Sequence, residues 1–345
     1  MDSRAIRVRD EDAIGILGTG SCLPGNVVTN DDVGPPAGVT DEWIRRKTAI
    51  RERRWAKSDE STSDLATMAA RMALHDAGLR AEEITLVVVA TSTPDSPQPP
   101  TATAVAAELG VAPGTPAFDL NAVCSGFVFA LATAERMIRG SGGRALVIGA
   151  DIYSRTLDPH DRSTVILFGD GAGAVVLGPT GSGGVLATRL ATFAEHRGLI
   201  RVPAGGSQIP ASPESVEQGL HHFTMDGPAV RRFVESRVAP LIRTFLDTHL
   251  PDATRPLHFV PHQANGRMIE RLAADLGFPP ERVHTTVTWS GNTGAASVPL
   301  TLDRAAARIA PGDLVVLAGF GGGMAAGLAL VEWSAKGPRE RTDAT

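Results

Sequence analysis

Residues 119–140 read DLNAVCSGFVFALATAERMIRG, and the two parts of this stretch follow different periods. Up to Cys124 the chain is strand-like. Beyond Gly126, apolar residues recur at Phe127, Val128, Leu131, Ala134 and Ile138, the spacing of one helix face. The stretch therefore reads as a short strand, a turn carrying Cys124, and a buried helix. A cysteine in the first turn of such a helix meets the positive end of the helix dipole, which favours thiolate over thiol. That is what a nucleophile needs. In isolation, the stronger reading of the same cysteine is a small buried hydrophobe, which is how free cysteine usually packs.

Outward from this stretch, one series of elements occurs twice. The first copy runs LVVVA (86–90), a loop, a helix ending ELGVAP, strand PAFDL (116–120), Cys124, a helix, then strand RALVIGAD (144–151). The second runs LHFVPH (257–262), a helix ending DLGFPP, strand VHTTVTW (283–289), Asn292, a helix, then strand DLVVLAGF (313–320). Gly110 and Gly277, which close the first helix of each copy, precede Cys124 and Asn292 by 14 and 15 residues. Cys124 and Asn292 in turn precede Ile148 and Val316 by 24 residues each. Matching intervals filled by matching elements predict duplicated βαβα halves, each a mostly parallel sheet covered by helices. The fold class is α/β, with halves at 13–180 and 181–334 and flexible tails at 1–12 and 335–345. Central helices packed back to back would bring Cys124 and Asn292 together at strand ends, where ligands bind in open α/β sheets.

Composition narrows the function classes. The 345 residues are 43% hydrophobic and 21% charged, with a net charge of −5. No basic excess points to nucleic acid, and no basic amphipathic helix points to a membrane surface. The longest apolar runs, ITLVVVA and GDLVVLAGF, are of strand length. MDSRAIRVRDED lacks a signal peptide's apolar core, and two cysteines, Cys22 and Cys124, make no disulfide framework. A cytoplasmic setting is expected. With neither CxxC nor a Cys/His cluster, no metal is expected.

The remaining segments supply candidates. TDEWIRRKTAIRERRWA (40–56) opens on the N-cap Thr40, and its basic cluster Arg45, Arg46, Lys47, Arg51, Arg53 and Arg54 reads as a solvated helix face or an anion-binding rim beside Trp43. Residues 63–79 form an amphipathic helix closed by Gly78. Residues 198–223, rich in Gly, Pro and Ser, read as a long surface loop, and a helix starts at Asp226–Pro228. FVPHQAN places His262 at a strand end and Asn265 at the next helix start; the other eight histidines have no comparable setting. GNTGAASVPL puts Asn292 in a glycine-flanked turn. FGGGMAAG puts bare backbone N–H groups after a strand, where they can face a carbonyl oxygen.

In this order LNAVCSGF, LFGDGAGA, VPHQAN, GNTGAASVP and FGGG closely resemble the β-ketoacyl-acyl-carrier-protein synthase III family, decarboxylating condensing enzymes of the thiolase superfamily. The resemblance runs from GILGTGSCLP to LVEW. It implies a thiolase-like fold of five layers (αβαβα), a homodimer, and no cofactor beyond coenzyme A or phosphopantetheine thioesters as substrates. It implies Cys124 as acyl-accepting nucleophile and His262 and Asn292 as the pair that binds the malonyl thioester carbonyl. The oxyanion hole would be the N–H groups of Cys124 and Gly322. Trp43 and Arg162 match the positions that hold coenzyme A's adenine. Lys47, Gly227, Asn265 and Gln98 match further substrate-binding places, and Arg267 and Arg232 match carrier-protein docking positions.

The chain also departs from the family pattern. Lys47 stands where an arginine is usual, and the two bind phosphate differently. Arg231 replaces an aromatic near the tunnel mouth, Gln98 a phenylalanine over the acyl pocket, and Ala274 and Asp275 replace lysines. These departures mark either drift or a polyketide-biosynthesis member with an unusual acyl donor. Two readings stand: decarboxylative condensation of a Cys124-bound acyl group with malonyl-acyl-carrier protein, or acyl transfer from Cys124 to another carrier thiol or a hydroxyl without decarboxylation. The second would use His262 as general base. Asn292 favours the first, since simple transfer has no obvious use for an enolate donor.

Overall fold

The computed structural model describes residues 13–250 and 254–334; the tails expected at 1–12 and 335–345 lie outside the described residues. Two sheets organise the chain. The first contains β1 (Ile14–Cys22), β2 (Leu86–Ala90), β3 (Ala117–Leu120), β4 (Ala145–Asp151) and β5 (Gly171–Pro179). The second contains β6 (Gly184–Thr192), β7 (Leu257–Pro261), β8 (Leu314–Gly321) and β9 (Ala325–Glu332). The strand orders are β1-β5-β4-β2-β3 and β7-β8-β9-β6.

The duplication is visible strand by strand. β2 and β4 pair in parallel, as β7 and β8 do. β5 then adds antiparallel to β4 as β9 does to β8, and β1 and β6 close the two series, again antiparallel.

Side-chain alternation sets the layers, since successive strand residues point to opposite faces. In β2, Leu86, Val88 and Ala90 join a cluster with Val128 and Leu131 of the helix Gly126–Ile138 and Val298 and Leu302 of the helix Ser297–Ala305. Val87 and Val89 face the other way, onto the helices Thr62–Ala77 and Thr101–Leu109. β8 repeats this: Val315 and Leu317 face the same two central helices, while Val316 and Ala318 face Val238, Ile242 and Ile269. Each sheet is thus covered on both faces, and the central helices lie between the sheets, giving helix–sheet–helix–sheet–helix.

Five expectations are corrected. The sheets are mixed and not mostly parallel: β2–β3, β2–β4 and β7–β8 pair in parallel, while β1–β5, β5–β4, β8–β9 and β9–β6 are antiparallel. VHTTVTW is not a strand: only Val283 bridges to Phe259, and Val287–Ser290 is a helical turn. The cause is Gln263, whose Oε1 accepts the N–H groups of Thr286 at 2.9 Å and Val287 at 3.1 Å, taking donors that a ladder would need. The helix opened by Thr40 stops at Thr48, because Ala49 turns left-handed with φ of 63°. Arg53 is therefore no solvated helix face: it lies wholly buried in the short strand Glu52–Arg54, donating to Asn30 Oδ1 at 2.9 Å and the Ile166 carbonyl at 2.7 Å. Residues 198–223 also carry structure, with Ile200–Arg201 pairing Thr224–Met225 and Ser212 capping the short helix Pro213–Glu217.

Candidate active site

Cys124 sits in a single 3-10 turn, Val123–Ser125, between the end of β3 and the helix Gly126–Ile138. Val123 has φ of 48°, a strained conformation for a β-branched residue. The thiol is 5% exposed, and the backbone N–H groups of Gly322 and of Cys124 itself are directed at the sulfur. The expected thiolate does not follow. Burial, reinforced by the charge of Asp151, pushes the thiol up to about 12 despite those N–H groups. Desolvation of an isolated anion outweighs the end of one helix. The resting group is the thiol.

His262 ends β7's run. Its backbone N–H donates to the Ala318 carbonyl at 2.7 Å, and the edge of one ring meets the face of the other between His262 and Phe320, with centroids 5.5 Å apart. Nδ1 lies 2.6 Å from Ser297 Oγ. Burial alone takes the imidazole down to about 3, so it is neutral near pH 7.

Asn292 is held by its backbone: its N–H donates to the Leu167 carbonyl at 2.8 Å, and its carbonyl accepts Gly169 N–H at 3.0 Å. This explains the LFGDGAGA motif, because a Cβ at Gly169 would stand 2.2 Å from the Ser290 carbonyl oxygen. Asn292 Oδ1 accepts Gly294 N–H at 3.0 Å, which orients the amide with Nδ2 left to donate. The nucleophile turn packs against the turn after Asn292, where Gly126 faces Ala295, and against β8, where Gly319 faces Cys124. Cys124 meets Gly322 directly. Asn292 and His262 stand on segments packed against them, the turn after Asn292 on the nucleophile turn and the His262 ring on Phe320, two residues before Gly322, so the four frame one candidate site. It offers a thiol, two backbone N–H groups, a neutral imidazole and an amide N–H. That set can accept an acyl group and stabilise negative oxygen on either side of it.

The rim residues are spread over several elements. The guanidinium of Arg162 lies 5.9 Å from the Trp43 ring centroid, a cation–π pair. Asn265 caps the helix Gly266–Asp275 by accepting from Arg267 and Met268 N–H, and its Nδ2 donates to the Lys47 carbonyl at 3.3 Å. Lys47 is exposed, and Gly227 opens the helix capped by Asp226. Arg267 is exposed and paired with Glu270 at 2.9 Å. Gln98, in an exposed loop, and Arg232, on an exposed helix face, have no hydrogen bond or ring contact to the Cys124 group among the described residues. No group of three or more His, Cys, Asp or Glu among the described residues is placed to hold a metal.

Three features escaped the sequence. Asp151, wholly buried at the end of β4, accepts from Ser92 N–H at 2.8 Å and from the hydroxyls of Thr91, Ser92 and Thr93; its other oxygen accepts Ala295 N–H at 2.7 Å. It ties the loop after β2 to the turn after Asn292. Burial holds its carboxyl above the usual range. Ser297 lies inside the GNTGAASVP motif, five residues after Asn292, which is the signal that could have found it. Against expectation, two further histidines are buried: His258 Nδ1 lies 2.8 Å from His284 Nε2, and His258 Nε2 lies 3.1 Å from Asp313.

Comparison with known proteins gives a consistent result. Residues 118–193 match the family described as 3-oxoacyl-[acyl-carrier-protein (ACP)] synthase III, and residues 257–333 match its C-terminal counterpart. The chain is 56% identical over 323 residues to acetoacetyl CoA synthase NphT7 of Streptomyces sp. (strain CL190), covering 92% of this chain and 98% of that protein. It is 45% identical to beta-ketoacyl-[acyl-carrier-protein] synthase III 3 of Streptomyces coelicolor, covering 94% and 98%. Among solved structures, the priming β-ketosynthase of the R1128 polyketide biosynthetic pathway superposes with a TM-score of 0.86 at 34% identity, covering 96% of this chain and 100% of that one. The synthase III of Pseudomonas aeruginosa PAO1 gives 0.84 at 39% identity, covering 94% and 100%.

Proposed function

Because the chain belongs to the 3-oxoacyl-[acyl-carrier-protein] synthase III family, condensing acyltransferases of thiolase-like fold, we propose that it loads an acyl group onto Cys124 and condenses it decarboxylatively with a malonyl thioester. In loading, the sulfur of Cys124 attacks the donor thioester, the N–H groups of Cys124 and Gly322 hold the tetrahedral oxygen, and the thiol proton leaves with the departing coenzyme A or carrier thiol. In condensation, the malonyl C–CO₂ bond breaks and its electron pair becomes an enolate, whose oxygen is met by His262 Nε2–H and Asn292 Nδ2–H. The enolate carbon attacks the acyl-Cys124 carbonyl. The returning thiolate takes up one proton, and a β-ketoacyl thioester and CO₂ leave. Each donor to a developing oxyanion is worth about 3 kcal/mol.

The observation that carries this reading is the Asn292 amide, pinned by Gly294 with Nδ2 free to donate. Non-decarboxylating transfer forms no enolate for that donor to stabilise. The Trp43–Arg162 pair supports a donor carrying an adenine, which stacks between a ring and a guanidinium. β3, a half-buried edge strand, supports pairing with a second copy as a homodimer. On this reading the reaction takes place in the cytoplasm, with coenzyme A or carrier-protein thioesters as its substrates; among the described residues no helix is long and apolar enough to cross a membrane.

A second reading concerns the acceptor, which is either malonyl-acyl-carrier protein or malonyl-coenzyme A. Arg267 and Arg232 suit an acidic carrier. Yet the outward charges of the helix Gly266–Asp275 balance, Arg267 and Arg271 against Glu270 and Asp275, with Arg267 neutralised by Glu270. A relative named acetoacetyl CoA synthase favours coenzyme A. Product analysis by mass spectrometry, with a panel of acyl donors and each malonyl thioester in turn, tests both. A β-ketoacyl product on either acceptor supports condensation and identifies the acceptor; acyl transfer without CO₂ release contradicts it.

A further inference from the structure

Resting on the condensation reading, we propose that Ser297 is a positioning residue: its hydroxyl holds His262 as the tautomer that carries its proton on Nε2.

The geometry fixes the direction of one hydrogen bond. Ser297 is fully buried in the first turn of the helix Ser297–Ala305, with Oγ 2.6 Å from His262 Nδ1. The same oxygen accepts the backbone N–H of Gln263 at 3.3 Å. Gln263 is itself immobilised, donating from Nε2 to the Pro261 carbonyl at 2.7 Å and accepting the Thr286 and Val287 N–H groups. The serine hydroxyl proton still needs an acceptor. Among the described residues the only other group bonded to Oγ is His262 Nδ1. Were Nδ1 protonated, it would donate to the oxygen and leave the hydroxyl proton unpaired in a buried site, which costs about 1–3 kcal/mol. The hydroxyl therefore donates into Nδ1, and Nε2 bears the hydrogen.

This direction matters for the enolate. An imidazole and a carboxamide each offer either a donor or a lone pair, and a developing oxyanion is stabilised only by the donor. Each side chain has a neighbour that decides the question: Gly294 N–H occupies the oxygen of Asn292, and Ser297 O–H occupies Nδ1 of His262. The two holders lie three residues apart on one turn, so one short segment orients both donors.

The test uses the full chain with ¹⁵N-labelled histidine, the His262 resonances being assigned by difference against His262→Gln. The wild type is expected to show Nε2 protonated and Nδ1 bare. Ser297→Ala should lose that preference and release CO₂ from malonyl thioester at least about tenfold more slowly, while acylation of Cys124 stays within about twofold by intact mass. Ser297→Thr, which keeps the hydroxyl, should restore both tautomer and rate. A wild type protonated on Nδ1, an unchanged tautomer in Ser297→Ala, or equal losses of loading and decarboxylation would overturn the proposal. The tautomer is read without substrate, so a wild type that never decarboxylates would remove the condensation reading while the spectra still decide the role of Ser297.

Discussion

Gly321 lies directly against Cys124: a Cβ built on residue 321 would come within 2.9 Å of the sulfur and 2.7 Å of the cysteine Cβ. Its φ of 155° with ψ of −134° is also reserved in practice for glycine. The run FGGG is therefore a steric requirement of the nucleophile. Gly321→Ala should cut the rate of Cys124 acylation at least about a hundredfold and cost about 1–3 kcal/mol of stability. Intact-mass kinetics and urea unfolding check the two effects separately.

The high position of the Cys124 thiol, about 12, gives a pH signature for the free enzyme. The thiolate is the species that alkylates, and its population rises tenfold per pH unit below the thiol's own value. Iodoacetamide labelling of Cys124, followed by peptide mass spectrometry, should therefore accelerate steadily from pH 6 to 9. A plateau in that range would show a thiolate already present and contradict the buried thiol.

His262 shapes stability in acid. Its imidazole is held near 3 when folded against about 6.5 unfolded, so its stabilisation is complete above pH 6.5 and declines as pH falls toward 3. At pH 5 the loss is about 2 kcal/mol. Urea midpoints at pH 7 and pH 5 should differ less in His262→Gln than in wild type. His284, pushed down to about 4, acts in the same direction in both proteins.

Trp43 and Arg162 should serve substrate binding and leave the chemistry alone. Trp43→Ala and Arg162→Ala are each expected to raise KM for an acyl-coenzyme A donor about fivefold to thirtyfold, the worth of one desolvated cation–π contact, with kcat unchanged. A truncated N-acetylcysteamine thioester lacks the adenine and should be used equally by wild type and variants. Steady-state kinetics with both donors distinguishes this from a general disturbance.

Asp151 joins the loop 91–93 to Ala295 and should behave as a structural hub. Asp151→Ala leaves several buried donors unsatisfied and is expected to destabilise by about 3 kcal/mol or more. Calorimetry measures this directly.

Much of this architecture was legible because it rests on period. Val87 and Val89 against Leu86 and Val88, or Phe127, Val128, Leu131 and Ala134 along one face, announce strand and helix in the residues themselves. The duplication was legible for the same reason. What escaped depends on single side chains acting across the fold. Nothing local to VHTTVTW reveals that Gln263, twenty residues upstream, takes its backbone donors. Arg53 looked like its exposed neighbours until Asn30 and the Ile166 carbonyl enclosed it. Cys124, His262 and Asn292 stood out by motif, but the thiol's resistance to ionisation is a property of burial, which the spacing of residues does not carry.

The central claim is that acyl loading and enolate stabilisation are separate tasks of one site, and one comparison tests it most directly. Wild type and Asn292→Ala would be mixed with an acyl donor and a malonyl thioester, reading Cys124 by intact mass and CO₂ by release. The account predicts that both proteins acylate Cys124, that wild type returns to free thiol with CO₂ and a β-ketoacyl product, and that Asn292→Ala stays acylated with decarboxylation slowed about a hundredfold or more. A wild type that loads Cys124 and never decarboxylates the malonyl group, or an Asn292→Ala that condenses at the wild-type rate, would contradict it.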